Sequence, residues 1–233
     1  MIQVRDLYKS FEKEIISNFT IEFATGKTSV ILGPSGCGKT TLFNILSGLD
    51  RDYSGEVIID NRVSYIFQED RLIPWLTAGE NLELVQGRGG RVDDNNSNTL
   101  NTILNKFHLS HRKDSMARDL SGGEKQRLSI ARAFLHGSST ILMDEALRSM
   151  DLSLKLTIID EINGALREFE KTMVVISHDI REALLLADTI YVLAKNPMKI
   201  REQINVHIPK DKRNLYDEDI LLLEKKLYTL LLK

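Results

Sequence analysis

The amino-acid sequence predicts an α/β fold built on a mostly parallel sheet with helices on both faces. Short runs of apolar and β-branched residues recur along the chain, and stretches with apolar residues three to four positions apart separate them. Such alternation favours parallel strands, because each helix carries the chain back across one face of the sheet. With 233 residues, of which 42% are hydrophobic, the chain has the length and apolar content of a globular protein.

The predicted strands are continuous apolar runs bounded by turn residues, as is typical of buried parallel strands. Short strands fill residues 2–32, and the run at residues 29–32 ends at Gly33. The later strands are predicted at residues 57–59, 64–67, 140–143, 173–176 and 189–193.

The predicted helices follow the apolar spacing. One begins near Lys39, and the pattern is helical from about residue 76 to residue 134. The remaining helices are predicted at about residues 151–169, 180–187 and 220–233. Residues 87–98 are predicted to form a flexible surface loop, because they are nearly all glycine and polar residues, and a polar linker begins at residues 210–213. We expect the final helix to pack against the core or a partner.

Composition excludes several classes of protein. A formal net charge of −2 gives no general attraction to nucleic acid or to an anionic membrane. The single cysteine, Cys37, leaves no intrachain disulfide and no cysteine-built zinc site, which suits a reducing compartment. No uninterrupted apolar run exceeds five residues, whereas a helix that crosses a bilayer needs about 20. The first residues also lack the pattern of a secretory signal.

Residues 33–40 match the phosphate-binding pattern G-x-x-x-x-G-K-[ST] between a predicted strand and a predicted helix. Its glycines let successive N–H groups point at phosphate oxygens, and the helix start adds partial positive charge. Lys39 is expected to reach the β- and γ-phosphates, and the Thr40 hydroxyl to ligate Mg²⁺. Cys37 occupies a variable position of the loop. The predicted nucleotide-binding residues are Gly33, Pro34, Ser35, Gly36, Cys37, Gly38, Lys39, Thr40 and Thr41.

Two carboxylates follow the apolar run at residues 140–143. Asp144 is predicted to hold Mg²⁺ directly or through water. Glu145 is predicted to face the γ-phosphate and to act as the general base that polarises the attacking water.

The most discriminating segment is Leu120-Ser121-Gly122-Gly123-Glu124-Lys125-Gln126-Arg127, which we call the signature segment. It resembles the signature of ATP-binding cassette (ABC) ATPases. A serine and two glycine amides at a helix start form an anion site. Since the chain already has one phosphate loop, a second such site suggests that the γ-phosphate lies between two subunits. The segment's predicted contact residues are Leu120, Ser121, Gly122, Gly123, Glu124 and Gln126.

The ABC resemblance implies roles for four further residues. Phe11 is similar to the aromatic residue that stacks on adenine, although tyrosine is more usual there. Gln68 resembles the glutamine that touches Mg²⁺ and links the two lobes. His178 resembles the switch histidine that contacts the γ-phosphate, and Asp151 the acidic residue of the loop that communicates across the dimer. The implied catalytic residues are Glu145, His178 and Gln68, and the implied metal ligands are Thr40, Gln68 and Asp144.

Residues 67–75, 182–188 and 196–200 resemble the nitrate, sulfonate and taurine group of ABC importer ATPases. This resemblance implies a P-loop NTPase (RecA-like) core with a mostly parallel sheet, an antiparallel β part and an inserted α-helical subdomain. The implied boundaries are an ABC ATPase domain at 1–208, with its core at 1–75 and 138–208 and its helical subdomain at 76–137, then a C-terminal linker and helix at 209–233.

The same resemblance implies that ATP binding, dimer closure and hydrolysis drive uptake of a small anion such as a sulfonate, nitrate or taurine. ATP and Mg²⁺ are the implied cofactors. The implied partners are a second ATPase subunit, for which a homodimer is favoured over a heterodimer, integral membrane permease subunits and, indirectly, a substrate-binding protein, with no nucleic acid. The protein would then lie peripherally on the cytoplasmic face of the cell membrane. Trp75 either packs in the core or lies at the groove that receives a permease helix.

Three departures from the family pattern leave the rate of hydrolysis and its coupling to transport open, but they remove no phosphate-binding, metal-binding or base residue. Ala146 replaces the usual proline, Ser149-Met150 replaces Ala-Leu, and Gln68 follows Lys39 by only 29 positions. Two other function classes are alternatives. One is a soluble ABC ATPase acting on nucleic acid or in metal-cluster assembly; DNA-maintenance relatives carry long coiled-coil insertions, for which the chain has no room, and the near-neutral charge gives no surface for a nucleic-acid backbone. A P-loop GTPase or small-molecule kinase needs no signature segment.

Overall fold

The computed structural model describes residues 2–59, 62–85, 94–148, 150–195 and 197–232. The strands are β1 (Ile2–Ser10), β2 (Glu14–Phe23), β3 (Thr28–Leu32), β4 (Ser54–Ile59), β5 (Val63–Ile66), β6 (Thr140–Asp144), β7 (Thr172–Ile176), β8 (Thr189–Ala194) and β9 (Lys199–Asn205). The helices are α1 (Lys39–Leu46), α2 (Ala78–Glu83), α3 (Asp94–Lys106), α4 (Gly122–Leu135), α5 (Leu152–Glu168), α6 (Ile180–Leu186) and α7 (Glu218–Leu231).

A six-stranded sheet in the order β5-β6-β7-β3-β8-β9 forms the centre of the molecule. Its first five strands are parallel, and β9 pairs antiparallel with β8 at the edge. Every residue of β3, β6 and β7 is buried, which explains why these strands are apolar without alternation. The mostly parallel sheet confirms the predicted fold class. The edge strand β9 was not predicted.

Two apolar cores lie on opposite faces of this sheet. On one face, Ile31 and Leu142 pack with Phe43 of α1 and with the antiparallel sheet β2-β1-β4. On the other face, Val30 and Met143 pack with the remaining helices. Neighbouring residues of one strand thus point into different cores, as the period of two requires. The central strands are therefore fixed from both sides, and the loops that follow β3 and β6 leave from a rigid edge.

Helices α2, α3 and α4 form a cluster between β5 and β6 in the chain. Phe107 and Phe134 meet there with ring centroids 5.5 Å apart. Of the predicted loop 87–98, residues 87–93 lie outside the described residues. The prediction is wrong for residues 94–98, which begin α3. Polar residues can begin a helix when the rest of that helix has an apolar face, and Leu100, Ile103 and Leu104 of α3 are buried.

The C-terminal segment is fastened to the core. Arg213, at the end of the predicted polar linker, donates hydrogen bonds to the Leu184 and Ala187 carbonyls at the end of α6, at 2.8 and 2.7 Å. Helix α7 packs on α6 and buries Ile220 and Leu227, which confirms that it packs against the core. Among the described residues, none of the helices combines the length and apolarity required to cross a bilayer.

Candidate functional site

The phosphate loop connects the buried strand β3 to α1, in the predicted strand–loop–helix context. Gly36 and Gly38 have φ values of 76° and 102°, in the region that favours glycine. A Cβ on Gly38 would lie 2.8 Å from Ile15 Cγ2. The last glycine before Lys39 is therefore required both by the backbone turn and by the close approach of β2.

Lys39 is 5% exposed and its ammonium group lies inside the phosphate loop. Its Nζ donates hydrogen bonds to the carbonyls of Gly33 at 2.8 Å and Pro34 at 3.0 Å. Burial raises the pKa of the Cys37 thiol beside it, so this cysteine stays protonated and unreactive. The loop thus concentrates one positive charge where the pattern predicts phosphate.

Asp144 lies at the end of β6, next to the start of α1. The Tyr65 hydroxyl donates to Asp144 Oδ2 at 3.1 Å, and Thr40 also hydrogen-bonds this carboxylate. Burial raises the pKa of Asp144, and the charge of Glu145 adds to this, although the hydrogen bonds from Tyr65 and Thr40 oppose it. The Asp144 carboxylate and the Thr40 hydroxyl are hard oxygen donors, and the hydrogen bonds to Asp144 do not fully compensate its negative charge. Thr40 and Asp144 therefore fit Mg²⁺, which prefers a few protein oxygens together with water and phosphate.

Glu145 is held in place by both its backbone and its side chain. Its φ is 47°, and its N–H donates to the Ile176 carbonyl of β7 at 3.0 Å. Its Oε1 lies 2.6 Å from His178 Nε2, and its Oε2 lies 3.0 Å from a guanidinium nitrogen of Arg148. The structure thus brings together Glu145 and His178, which the sequence places 33 positions apart.

Ser121 begins the signature helix α4 and forms a capping box with Glu124. The Glu124 carboxylate accepts hydrogen bonds from Ser121 N at 2.8 Å and Ser121 Oγ at 2.9 Å. Arg112 Nε donates to its other oxygen at 2.7 Å. Burial alone would raise the pKa of Glu124, but the hydrogen bonds from Ser121 and Arg112 lower it to about 2. These hydrogen bonds hold the Glu124 side chain across the start of the helix, between Ser121 and Arg112.

Comparison with known proteins adds a match to the family described as ABC transporter over residues 16–148, more than half of the chain. The chain belongs to the ABC transporter family. The aliphatic sulfonates import ATP-binding protein SsuB 2 of Burkholderia cenocepacia is 33% identical over 214 residues, with 87% of this chain and 77% of that protein covered. The aliphatic sulfonates import ATP-binding protein SsuB of Bacillus cereus is 31% identical over 223 residues, with 89% and 87% covered.

Solved ABC structures show the same fold. The dimeric structure of MJ0796, a bacterial ABC transporter cassette, has a TM-score of 0.77 at 28% identity and covers 90% of this chain and 100% of that one. A post-hydrolysis state of the same cassette, bound to ADP and Pi, has a TM-score of 0.76 at 27% identity, with the same coverage. The present chain is an ABC-type ATPase that resembles the sulfonate-import ATP-binding subunits.

The structure places the other predicted ABC residues in two further locations. A cavity of about 390 Å³ is lined by Gln68, Asp151 and the glycines of the signature segment, with Gln126 beside them. Asp151 also caps α5 by accepting from Leu154 N at 3.0 Å. Phe11 lies apart, in the turn between β1 and β2, where its ring is 64% exposed and Lys9 Nζ is 4.8 Å from the ring centroid.

Trp75 is 70% exposed, so the core-packing alternative for this residue is wrong.

Two residues of the ABC site were not predicted from the sequence. Tyr65 holds Asp144, and its position on β5, beside β6 in parallel register, could have indicated this. Arg148 holds Glu145 from within the same turn, at an i, i+3 spacing that carries no chemical signal by itself.

Proposed function

We propose that this ABC ATPase is the ATP-hydrolysing subunit of an importer for a small anion, with an aliphatic sulfonate as the leading substrate class. The ATP-hydrolysing role in this proposal rests on the contact between Glu145 and His178 at the end of β6, beside the phosphate loop. The substrate class rests on the sulfonate-import names of the relatives. Cargo itself is selected by other subunits.

The nucleotide is bound through the loop at residues 33–41. Lys39 would exchange its loop carbonyls for the β- and γ-phosphates, since a phosphate oxygen is a stronger acceptor for an ammonium group. Thr40 and Asp144, with Gln68, would hold Mg²⁺, which neutralises charge that develops on the phosphates. Phe11, exposed on the β1–β2 turn, offers its ring face to adenine.

Hydrolysis requires that a water molecule lose a proton as it attacks the γ-phosphate. Glu145 is the proposed general base, because its carboxylate follows the strand end that carries Asp144 and is only slightly exposed. His178 orients this carboxylate through Oε1. The second phosphate contact comes from Ser121 of another copy, which gives two composite sites in a head-to-tail dimer.

The domain division follows from these roles. Residues 1–75 and 138–208 form the nucleotide-binding core, residues 76–137 the helical subdomain that presents the signature segment, and residues 209–233 a C-terminal extension. ATP contacts both copies only in the closed dimer and therefore favours closure. Integral permease subunits would hold the dimer at the cytoplasmic face of the membrane, with Trp75 in the contact, and a substrate-binding protein would act indirectly through them.

The test replaces Glu145 by Gln, which keeps the size of the side chain and removes the base. We expect ATP to remain bound and the protein to elute as a stable dimer, while turnover falls by about 100-fold or more, the range for loss of a general base. Glu83→Gln, on the exposed face of α2, is the control and should behave as wild type. Normal turnover of the Glu145 variant would refute the assignment.

A further inference from the structure

The carboxylate of Glu145 is bound on both of its oxygens. His178 Nε2 lies 2.6 Å from Oε1, and Arg148 contacts Oε2 at 3.0 Å. The Arg148 side chain is 64% exposed, whereas that of Glu145 is 14% exposed. The base is therefore fixed by one partner inside the site and by one that faces solvent.

A general base needs an oxygen lone pair that is free to accept a proton from water. The guanidinium group is always charged and only donates hydrogen bonds. Each carboxylate oxygen has two lone pairs, so His178 and Arg148 leave one on each, but the Arg148 guanidinium group occupies one of the two directions from which water can hydrogen-bond Oε2. In the single chain the base is thus correctly placed, but the approach of water to Oε2 is restricted.

Arg148 has room to leave. Its side chain lines a cavity of about 550 Å³ together with His178 and with Tyr228 and Leu231 of α7. Asp179 lies in the same cavity but already pairs with Lys155 at 2.7 Å. Only the Arg148 end of this ion pair faces solvent, and solvent weakens the attraction there, so a competing charge on an incoming phosphate or on a second chain can open the pair.

We propose that Arg148 is a positioning residue that controls the availability of Glu145, holding Oε2 in the single chain and releasing it when the nucleotide site closes. This inference rests on the proposed role of Glu145 as the base. It differs from a structural role because Arg148 supports no buried group other than this carboxylate among the contacts described.

The experiment measures steady-state ATP hydrolysis of Arg148→Ala and Arg148→Lys. Because the solvent-facing Arg148 restrains Glu145 only weakly, we expect kcat of the alanine variant to rise by about two- to five-fold with KM for ATP unchanged. The lysine variant, which keeps the charge, should stay close to wild type. Arg167→Ala, at an exposed position in the last turn of α5, is the matched control and should leave kcat unchanged.

Salt provides a second readout that a merely structural role would not affect. Raising KCl from about 50 to about 500 mM screens the solvent-facing charge of Arg148, so wild-type kcat should move toward that of Arg148→Ala. An unchanged or lower kcat in Arg148→Ala would overturn the inference. The double variant Glu145→Gln/Arg148→Ala separates the two claims: turnover at the wild-type rate there would show that Glu145 is not the base, whereas no turnover leaves its role intact.

Discussion

Replacing Glu124 by Gln removes the negative charge from the start of the signature helix while keeping its shape. Gln can still occupy the third position of a capping box, so the substitution isolates the charge. The Glu124 side chain is 15% exposed, and the Ser121 and Arg112 hydrogen bonds lower its pKa from 4.5 to about 2. At 1.36 kcal/mol for each pKa unit, and after allowance for solvent screening at the exposed Ser121 and the partly exposed Arg112, this carboxylate contributes on the order of 1–2 kcal/mol to stability at neutral pH.

The sign of the pH dependence follows from the lowered pKa. The contribution is fully present above the unfolded-state pKa of 4.5 and is lost as the pH falls toward 2, because the unfolded chain then binds a proton more readily. Urea unfolding of both proteins between about pH 7 and pH 3 should therefore show a stability difference that shrinks with acidity. The matched control is Glu80→Gln in the capping box of α2, where Glu80 is exposed and solvent screening should make the effect smaller. A difference between wild type and Glu124→Gln that stays constant with pH would refute the reasoning.

Three further substitutions test the phosphate loop, the contacts of Arg213 at the end of α6, and the exposed Trp75. Gly38→Ala should lower the free energy of unfolding by about 1–2 kcal/mol because of the left-handed backbone, and by more because of the clash with Ile15. Thermal unfolding should show a lower melting temperature and a smaller rise of that temperature when ATP is added. Arg213→Ala should lower the free energy of unfolding, measured in urea, by about 2 kcal/mol. Arg213→Lys should show a similar loss, because one ammonium group cannot make the several hydrogen bonds of the planar guanidinium group. Trp75→Ala should reduce co-purification with permease subunits while leaving kcat unchanged. Undiminished co-purification would count against a role of Trp75 in the permease contact.

The parts of the fold that depend on local pattern could be predicted from the sequence. Strands β3, β6 and β7 are buried on both faces, and their continuous apolar runs express this directly. The spacing of Ser121 and Glu124 is that of a capping box, and α4 begins there. In these places the local preference and the tertiary structure agree.

The contacts that depend on tertiary structure could not be predicted. Arg213 stabilises the end of α6 only because the chain returns to it after β9. Arg148 reaches Glu145 because the latter adopts a φ of 47°, which turns the chain sharply after β6. Strand β9 pairs at the sheet edge, where four of its seven residues are exposed, so its apolar run is interrupted. Neither backbone turns nor edge pairing leaves a clear pattern in residue types.

The central claim is that one ATP is held by Lys39 of one chain and by Ser121 of another. The direct measurement is ATPase activity in a mixture of Lys39→Ala and Ser121→Arg, each inactive alone and each confirmed to be folded by circular dichroism. Mixed dimers contain one site with both intact residues, so the mixture should regain up to about a quarter of wild-type activity. If Lys39 and Ser121 instead served the same nucleotide within one chain, every chain would carry a defect and the mixture would stay inactive, which would contradict the account.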